Sequence, residues 1–162
     1  MESVRLSSEG IAHVEMHVKP FNQLALRPIS FKLDTGAGIT TISKEALSSL
    51  GYSDDWLREN IKLHETRTLS SAGRDFEAAH YVRIPAANLL GKDFIEWTFY
   101  IRPESDRDYR NLLGADIFSN FDFTFRYSTG FLEIEPITNS AVKFQMLDGQ
   151  RIEEVAGGGN YG

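Results

Sequence analysis

Asp34, Thr35 and Gly36 follow directly on a run in which Ile29, Phe31 and Leu33 take alternate positions. A carboxyl there is held where an apolar strand ends, beside a hydroxyl and a backbone that no side chain obstructs. Those are the ingredients of general acid–base work. The tripeptide alone has other readings. Asp and Gly are common turn residues, and in that reading Asp34 does no more than cap a turn. Gly36-Ala37-Gly38-Ile39-Thr40-Thr41 follows a strand and precedes a helix as a dinucleotide loop does, with Asp54 or Asp55 near the place of a ribose-binding acid. Against it, Thr41 replaces the third glycine, Asp34 would set a negative charge beside the pyrophosphate, and no β–α alternation builds a parallel sheet. A phosphotransfer nucleophile fares no better, since no second Asp follows two residues on and no Gly-Lys-Ser or Gly-Lys-Thr loop occurs. His13, Glu15 and His17 share a strand face with metal-ligand chemistry. Such a face is usually only solvated, and no metal is expected.

The elements that must carry these residues have a dominant period of two. Between Ile11 and Lys19, Ala12, Val14, Met16 and Val18 alternate with His13, Glu15, His17 and Lys19, the pattern of a half-buried strand. Turn chemistry at Pro20-Phe21-Asn22-Gln23 precedes extended chain from Leu24 to Leu33. Ser43 reads as the N-cap of a short helix through Leu50 that Gly51 ends, and Asp54-Asp55 opens a second helical turn, acidic where the helix dipole favours it. Leu63 to Leu69 and Phe76 to Ile84 predict a hairpin with the tip Ser70-Ser71-Ala72-Gly73-Arg74. Phe94 to Ile101 is an aromatic strand, and Glu104 to Arg110 a charged surface loop. Leu112-Leu113-Gly114 runs into a short helix, and Phe121 to Phe125 with Phe131 to Ile134 forms a last hairpin whose Phe121, Phe123 and Phe125 face the core. The sum is a mainly β domain with two or three short helices, expected to fold as a closed or nearly closed barrel.

Composition narrows the function classes. The chain has 162 residues, 41% hydrophobic and 25% charged, which suits one domain with a real core. It contains no cysteine, so disulfides, thiolate zinc sites and a cysteine nucleophile are excluded. With 17 Lys and Arg against 23 Asp and Glu the net charge is −6, and no basic run offers itself to a phosphate backbone. Nucleic acid is not an expected partner. No apolar window reaches the roughly 18 residues that cross a bilayer, and the start lacks a signal-like segment. The expectation is a soluble, cytoplasmic chain without membrane contact.

Phe31-Lys32-Leu33-Asp34-Thr35-Gly36-Ala37-Gly38-Ile39-Thr40-Thr41-Ile42 resembles the active-site pattern of aspartic proteases. Some eighty residues on, Asn111-Leu112-Leu113-Gly114-Ala115-Asp116-Ile117 is similar to the second signature of that fold, and the hairpin between them lies where such enzymes carry a flap. The chain thus resembles retropepsin-like proteases over residues 8 to 136, and its Asp-Thr-Gly-Ala-x-x-Thr form looks more like cellular or bacterial members than viral ones.

The resemblance implies a retropepsin-like barrel in residues 1–136, with 137–162 as a C-terminal extension whose last six or seven residues are expected to be loose. It also implies hydrolysis of extended peptides, with no metal or organic cofactor. Acid catalysis of this kind uses two carboxyls that share a site and a proton. The chain holds one Asp-Thr-Gly, and Ser128-Thr129-Gly130 lacks the acid. A catalytic form must therefore be a homodimer giving one Asp34 per subunit. By resemblance, Asp34 activates water and protonates the carbonyl, Thr35 bonds across the dimer axis, and Gly36 orients the carboxylate. Ala37 and Gly38 line the substrate, Ser70, Ser71, Ala72, Gly73 and Arg74 close over it, and Leu112, Leu113 and Gly114 pack beneath the loop. The viral Arg after the second-signature glycine is replaced by Ala115, so its ion pair with an acid beyond the loop is absent. Two alternatives stand beside this reading: a binding or scaffolding domain that keeps the loop without cleaving, and a protease limited to its own processing.

Overall fold

The computed structural model describes residues 2–64, 69–71, 74–76, 79–101, 111–137, 142–145, 152–154 and 160–161, and strands dominate them. The chain begins with β1 (Glu2–Arg5) and turns into β2 (His13–Val18). Along β2 burial alternates without exception: Val14, Met16 and Val18 face inward and His13, Glu15 and His17 face solvent. β3 (Arg27–Leu33) pairs back antiparallel, Val14 opposite Phe31 and Met16 opposite Ile29, so both strands feed one core. Extended chain was expected from Leu24, but Leu24 is 93% exposed and β3 starts only at Arg27. One apolar residue without a paired neighbour does not extend a strand.

β4 (Thr41–Ile42) leads into α1 (Lys44–Ser49), whose N-cap Ser43 accepts the Ala46 N–H at 3.1 Å. Gly51, at φ +90°, takes the left-handed turn just past the helix end, as the sequence predicts. α2 (Asp54–Asn60) is capped in the same way by Ser53. Tyr52 joins these helices to the sheet: its hydroxyl donates to the Lys19 carbonyl at 2.7 Å, and burial pushes that phenol up to about 12.

Next come β5 (Lys62–His64), β6 (Leu69–Ser71), β7 (Arg74–Phe76), β8 (Ala79–Leu89) and β9 (Lys92–Ile101). β8 and β9 form the longest pairing, turning at Leu90 and Gly91, where Asn88 Oδ1 accepts the Gly91 N–H at 3.1 Å. β9 is the aromatic strand of the sequence, and its Phe94, Trp97 and Phe99 are fully buried. Each side chain of that size adds about 2–3 kcal/mol of hydrophobic stabilisation. β10 (Leu112–Leu113), α3 (Ala115–Phe118), β11 (Phe121–Arg126) and β12 (Phe131–Pro136) follow. On β11 only Phe121 is fully buried; Phe123 and Phe125 are half-buried. The extension contributes β13 (Val142–Gln145), β14 (Ile152–Glu154) and β15 (Asn160–Tyr161).

Among the described residues the strands make a three-stranded sheet β1-β12-β11, the small sheet β6-β7 and a ten-stranded sheet ordered β15-β14-β13-β9-β4-β10-β3-β2-β8-β5. β8 also pairs β9, so the order from β9 through β4, β10, β3, β2 and β8 returns to its starting strand. The extension joins at the free edge of β9, where Val142 stands opposite Phe94 in parallel register.

Candidate active site

β3 and β4 are the two legs of the loop 34–40, yet β10 lies between them. It runs parallel to β3, Leu113 opposite Leu33, and antiparallel to β4, Leu112 opposite Thr41. The loop must therefore pass over the end of β10, and the backbone registers the crossing: the Asp34 N–H donates to the Leu113 carbonyl at 3.1 Å. Leu112 and Leu113 are buried beneath it. Asn111 braces the entry, its Oδ1 accepting the Ser43 N–H at 2.8 Å and its Nδ2 donating to the Ser30 carbonyl at 3.3 Å.

Within the loop, Asp34 Oδ1 accepts the Gly36 N–H at 3.0 Å and the Asp34 carbonyl accepts the Ala37 N–H at 3.1 Å. The tripeptide is thus a turn that Asp34 closes on itself, and this fixes the direction of its carboxyl. Asp34 is partly exposed; Thr35, Gly36 and Gly38 are exposed around it. The far side of the loop is joined to α3. A helix begins with N–H groups that have no partner inside it, and the N-cap here is Gly114, which has no side chain to offer. The loop supplies the acceptors: Ala115 N–H donates to the Ala37 carbonyl at 2.9 Å and Asp116 N–H to the Gly38 carbonyl at 3.2 Å. Thr40 completes the junction, its hydroxyl accepting the Gly114 N–H at 3.0 Å and donating to Asp116 Oδ1 at 2.7 Å. Nothing larger than glycine fits at 114, since a Cβ there would lie 2.4 Å from the carbonyl carbon and oxygen of Ile39.

The arrangement presents one carboxyl on a braced loop with open backbone beside it. A solved structure of a retropepsin-like aspartic protease from Rickettsia conorii is similar to this chain, with TM-score 0.56, 24% identity, and coverage of 81% of this chain and 86% of that one. The fold is retropepsin-like. No family model matches the chain, and no curated protein matches it either.

In this retropepsin-like fold Asp34, Thr35, Gly36, Ala37, Gly38, Leu112, Leu113 and Gly114 come together at one place, although about eighty residues of sequence separate the two groups. The expected flap residues are distributed differently from the sequence reading. Ser70, Ser71 and Arg74 belong to paired strands, Ser70 opposite Asp75 and Ser71 opposite Arg74, while Ala72 and Gly73 lie outside the described residues. The hairpin is also two nested pairings, β6 with β7 and β5 with β8, since Lys62 stands opposite Tyr81 and His64 opposite Ala79. Alternation marks a strand but does not say where pairing stops. Among the described residues β6 and β7 pair with each other alone. His13, Glu15 and His17 lie on the solvent face of β2, and no group of three or more potential ligands among the described residues could hold a metal ion. Sequence reasoning passed over Thr40, Asn111 and Asp116. A polar residue inside an otherwise apolar signature was the available signal for each.

Proposed function

We propose that the chain is an aspartic endopeptidase whose dyad consists of Asp34 from each of two subunits. The observation that carries this reading is the posture of Asp34: a carboxyl directed by the Gly36 N–H and seated on a loop anchored to β10 and α3. One carboxyl takes the proton of the attacking water while the other protonates the carbonyl oxygen, so one Asp34 per chain requires a second copy. Thr35 and Gly36, both exposed beside the acid, then face the two-fold axis and the scissile bond. The β6–β7 hairpin serves as the flap over an extended peptide, to which its backbone adds hydrogen bonds. The return of the strand order to β9 supports a closed barrel beneath the site. The fold likeness supports the same assignment without deciding activity.

The test is to incubate the purified chain with an unfolded protein mixture across about pH 4 to 7, where shared-proton acid pairs operate, beside Asp34→Asn. Cleavage by the wild type alone, in a dimeric preparation, is the expected result. Equal inertness of two dimeric preparations overturns the protease reading in favour of a binding domain. Cleavage by a strict monomer overturns the cross-subunit dyad.

A further inference from the structure

Lys32, Leu112, Thr41, Tyr100 and Tyr81 stand side by side across the neighbouring strands β3, β10, β4, β9 and β8. Leu112 is opposite both Lys32 and Thr41, and Tyr100 is opposite both Thr41 and Tyr81. Each of the five immediately precedes a residue of the hydrophobic core: Leu33, Leu113, Ile42, Ile101 and Val82. Alternation along each strand therefore turns the whole row to the other face of the sheet, and residues in register share that face. Asp34 follows Lys32 by two positions, which brings its carboxyl to the same side.

The row is sunk in its middle. Lys32 and Tyr81 are half-buried, whereas Leu112, Thr41 and Tyr100 are buried, and the Tyr100 ring lies against Tyr81 with centroids 5.9 Å apart. Between Leu112 and Tyr100, the hydroxyl of Thr41 is buried and has no hydrogen-bond partner among the described residues; the residue is 3% exposed. A hydroxyl shut away from water and left unbonded costs free energy, and valine would keep the shape without that cost. The preceding residue shows the contrast. Thr40 uses its hydroxyl twice, accepting the Gly114 N–H and donating to Asp116, whereas Thr41 holds nothing in the fold together with its own.

We propose that Thr41 selects the substrate: its hydroxyl, on a floor walled by Leu112 and Tyr100, receives the uncharged amide side chain of an Asn or Gln in the bound peptide. Strand geometry sets the position of that residue. Two strands across at about 4.8 Å and two residues along at about 3.4 Å put Thr41 roughly 12 Å from Asp34. An extended peptide advances about 3.3–3.6 Å per residue, so the selected residue lies within about three places of the bond above Asp34. An amide suits the hydroxyl because each both donates and accepts, and a carboxylate would have to leave water beside an acidic pair. The selection of a cleavage site rests on the protease reading, whereas the selection of a bound peptide does not.

A peptide library cut by the wild type should show Asn or Gln enriched at one position near the cut, with Asn favoured there about tenfold in kcat/KM over its isostere Leu. Thr41→Val should melt no lower than wild type and lose that preference, while Thr41→Ser, which keeps the hydroxyl, retains it. A preference that the valine variant leaves unaltered overturns the proposal. So does a valine variant that melts well below wild type, since the hydroxyl would then be bonded within the fold. Binding of the same library to the Asp34→Asn protein, with and without Thr41→Val, separates this proposal from the protease reading. Asn selectivity that Thr41→Val abolishes, in a chain whose wild type never cleaves, retains the Thr41 pocket and sinks the protease. Cleavage and binding that do not depend on Thr41 do the reverse, and a chain that neither cleaves nor binds peptides overturns both.

Discussion

Replacing Asp34 by Asn keeps an acceptor oxygen for the Gly36 N–H and removes only the capacity to carry a proton. The expected outcome is loss of cleavage with a urea midpoint within about 0.5 kcal/mol of wild type, since the side chain is partly exposed and its local bond survives. A variant that lost activity by unfolding would show a shifted midpoint and would say nothing about chemistry. Gly114→Ala gives the opposite pattern. Its methyl would fall 2.4 Å from the Ile39 carbonyl carbon and oxygen, backbone that cannot swing aside as a flexible side chain does. Denaturant titration should show a loss of about 3 kcal/mol or more. Both residues were legible in the sequence, but for different reasons. Asp34 stood out by its chemistry, whereas the need for glycine at 114 became clear only when Ile39 was seen against it.

At the scale of elements, the junction of the loop with α3 depends on Thr40. Thr40→Val conserves shape but strands the buried Gly114 N–H and takes from Asp116 Oδ1 one of its two donors. Equilibrium unfolding should register a loss of about 2–4 kcal/mol, with hydrogen exchange at Gly114 and Ala115 accelerated beyond the global change. Ser43→Ala removes an ordinary cap, the acceptor for the Ala46 N–H, and should cost about 1 kcal/mol confined to α1. The contrast separates two kinds of legibility. Caps obey local rules, and Ser43 was read three residues ahead of its partner, whereas the second helix was read from Asp54-Asp55 and its cap Ser53 came only with the structure. Thr40 and Asp116 bond across a sequence separation of 76, and no local rule pairs them.

At the scale of the whole molecule, the proposed dyad makes activity a property of a pair of chains. Dilution should lower specific activity as the dimer dissociates, while a chain that works alone would keep it constant, and sedimentation over the same concentrations checks the correspondence. The extension belongs to this scale as well. It reads as a tail without a counterpart, yet its backbone pairs in parallel with β9 at Phe94, an edge that β4, paired at Tyr100 and Ile101, leaves open.

The amino-acid pattern alone determined the strand-rich character, the inward faces of β2 and β3, the helix capped by Ser43 with a second helical turn after it, and the acid at the end of an apolar strand. These follow from side-chain period and from bonds that span three or four residues, both visible in one dimension. The tertiary structure decided that β10 enters between the two legs of the loop, that carbonyls of Ala37 and Gly38 begin α3, and that the expected hairpin consists of two nested pairings. It also decided that Asp116, which the sequence gives only as part of the second signature, is buried with one oxygen unserved. The reason is physical. Desolvation and hydrogen-bond satisfaction depend on what surrounds a group from every side, and only the folded chain brings those neighbours together.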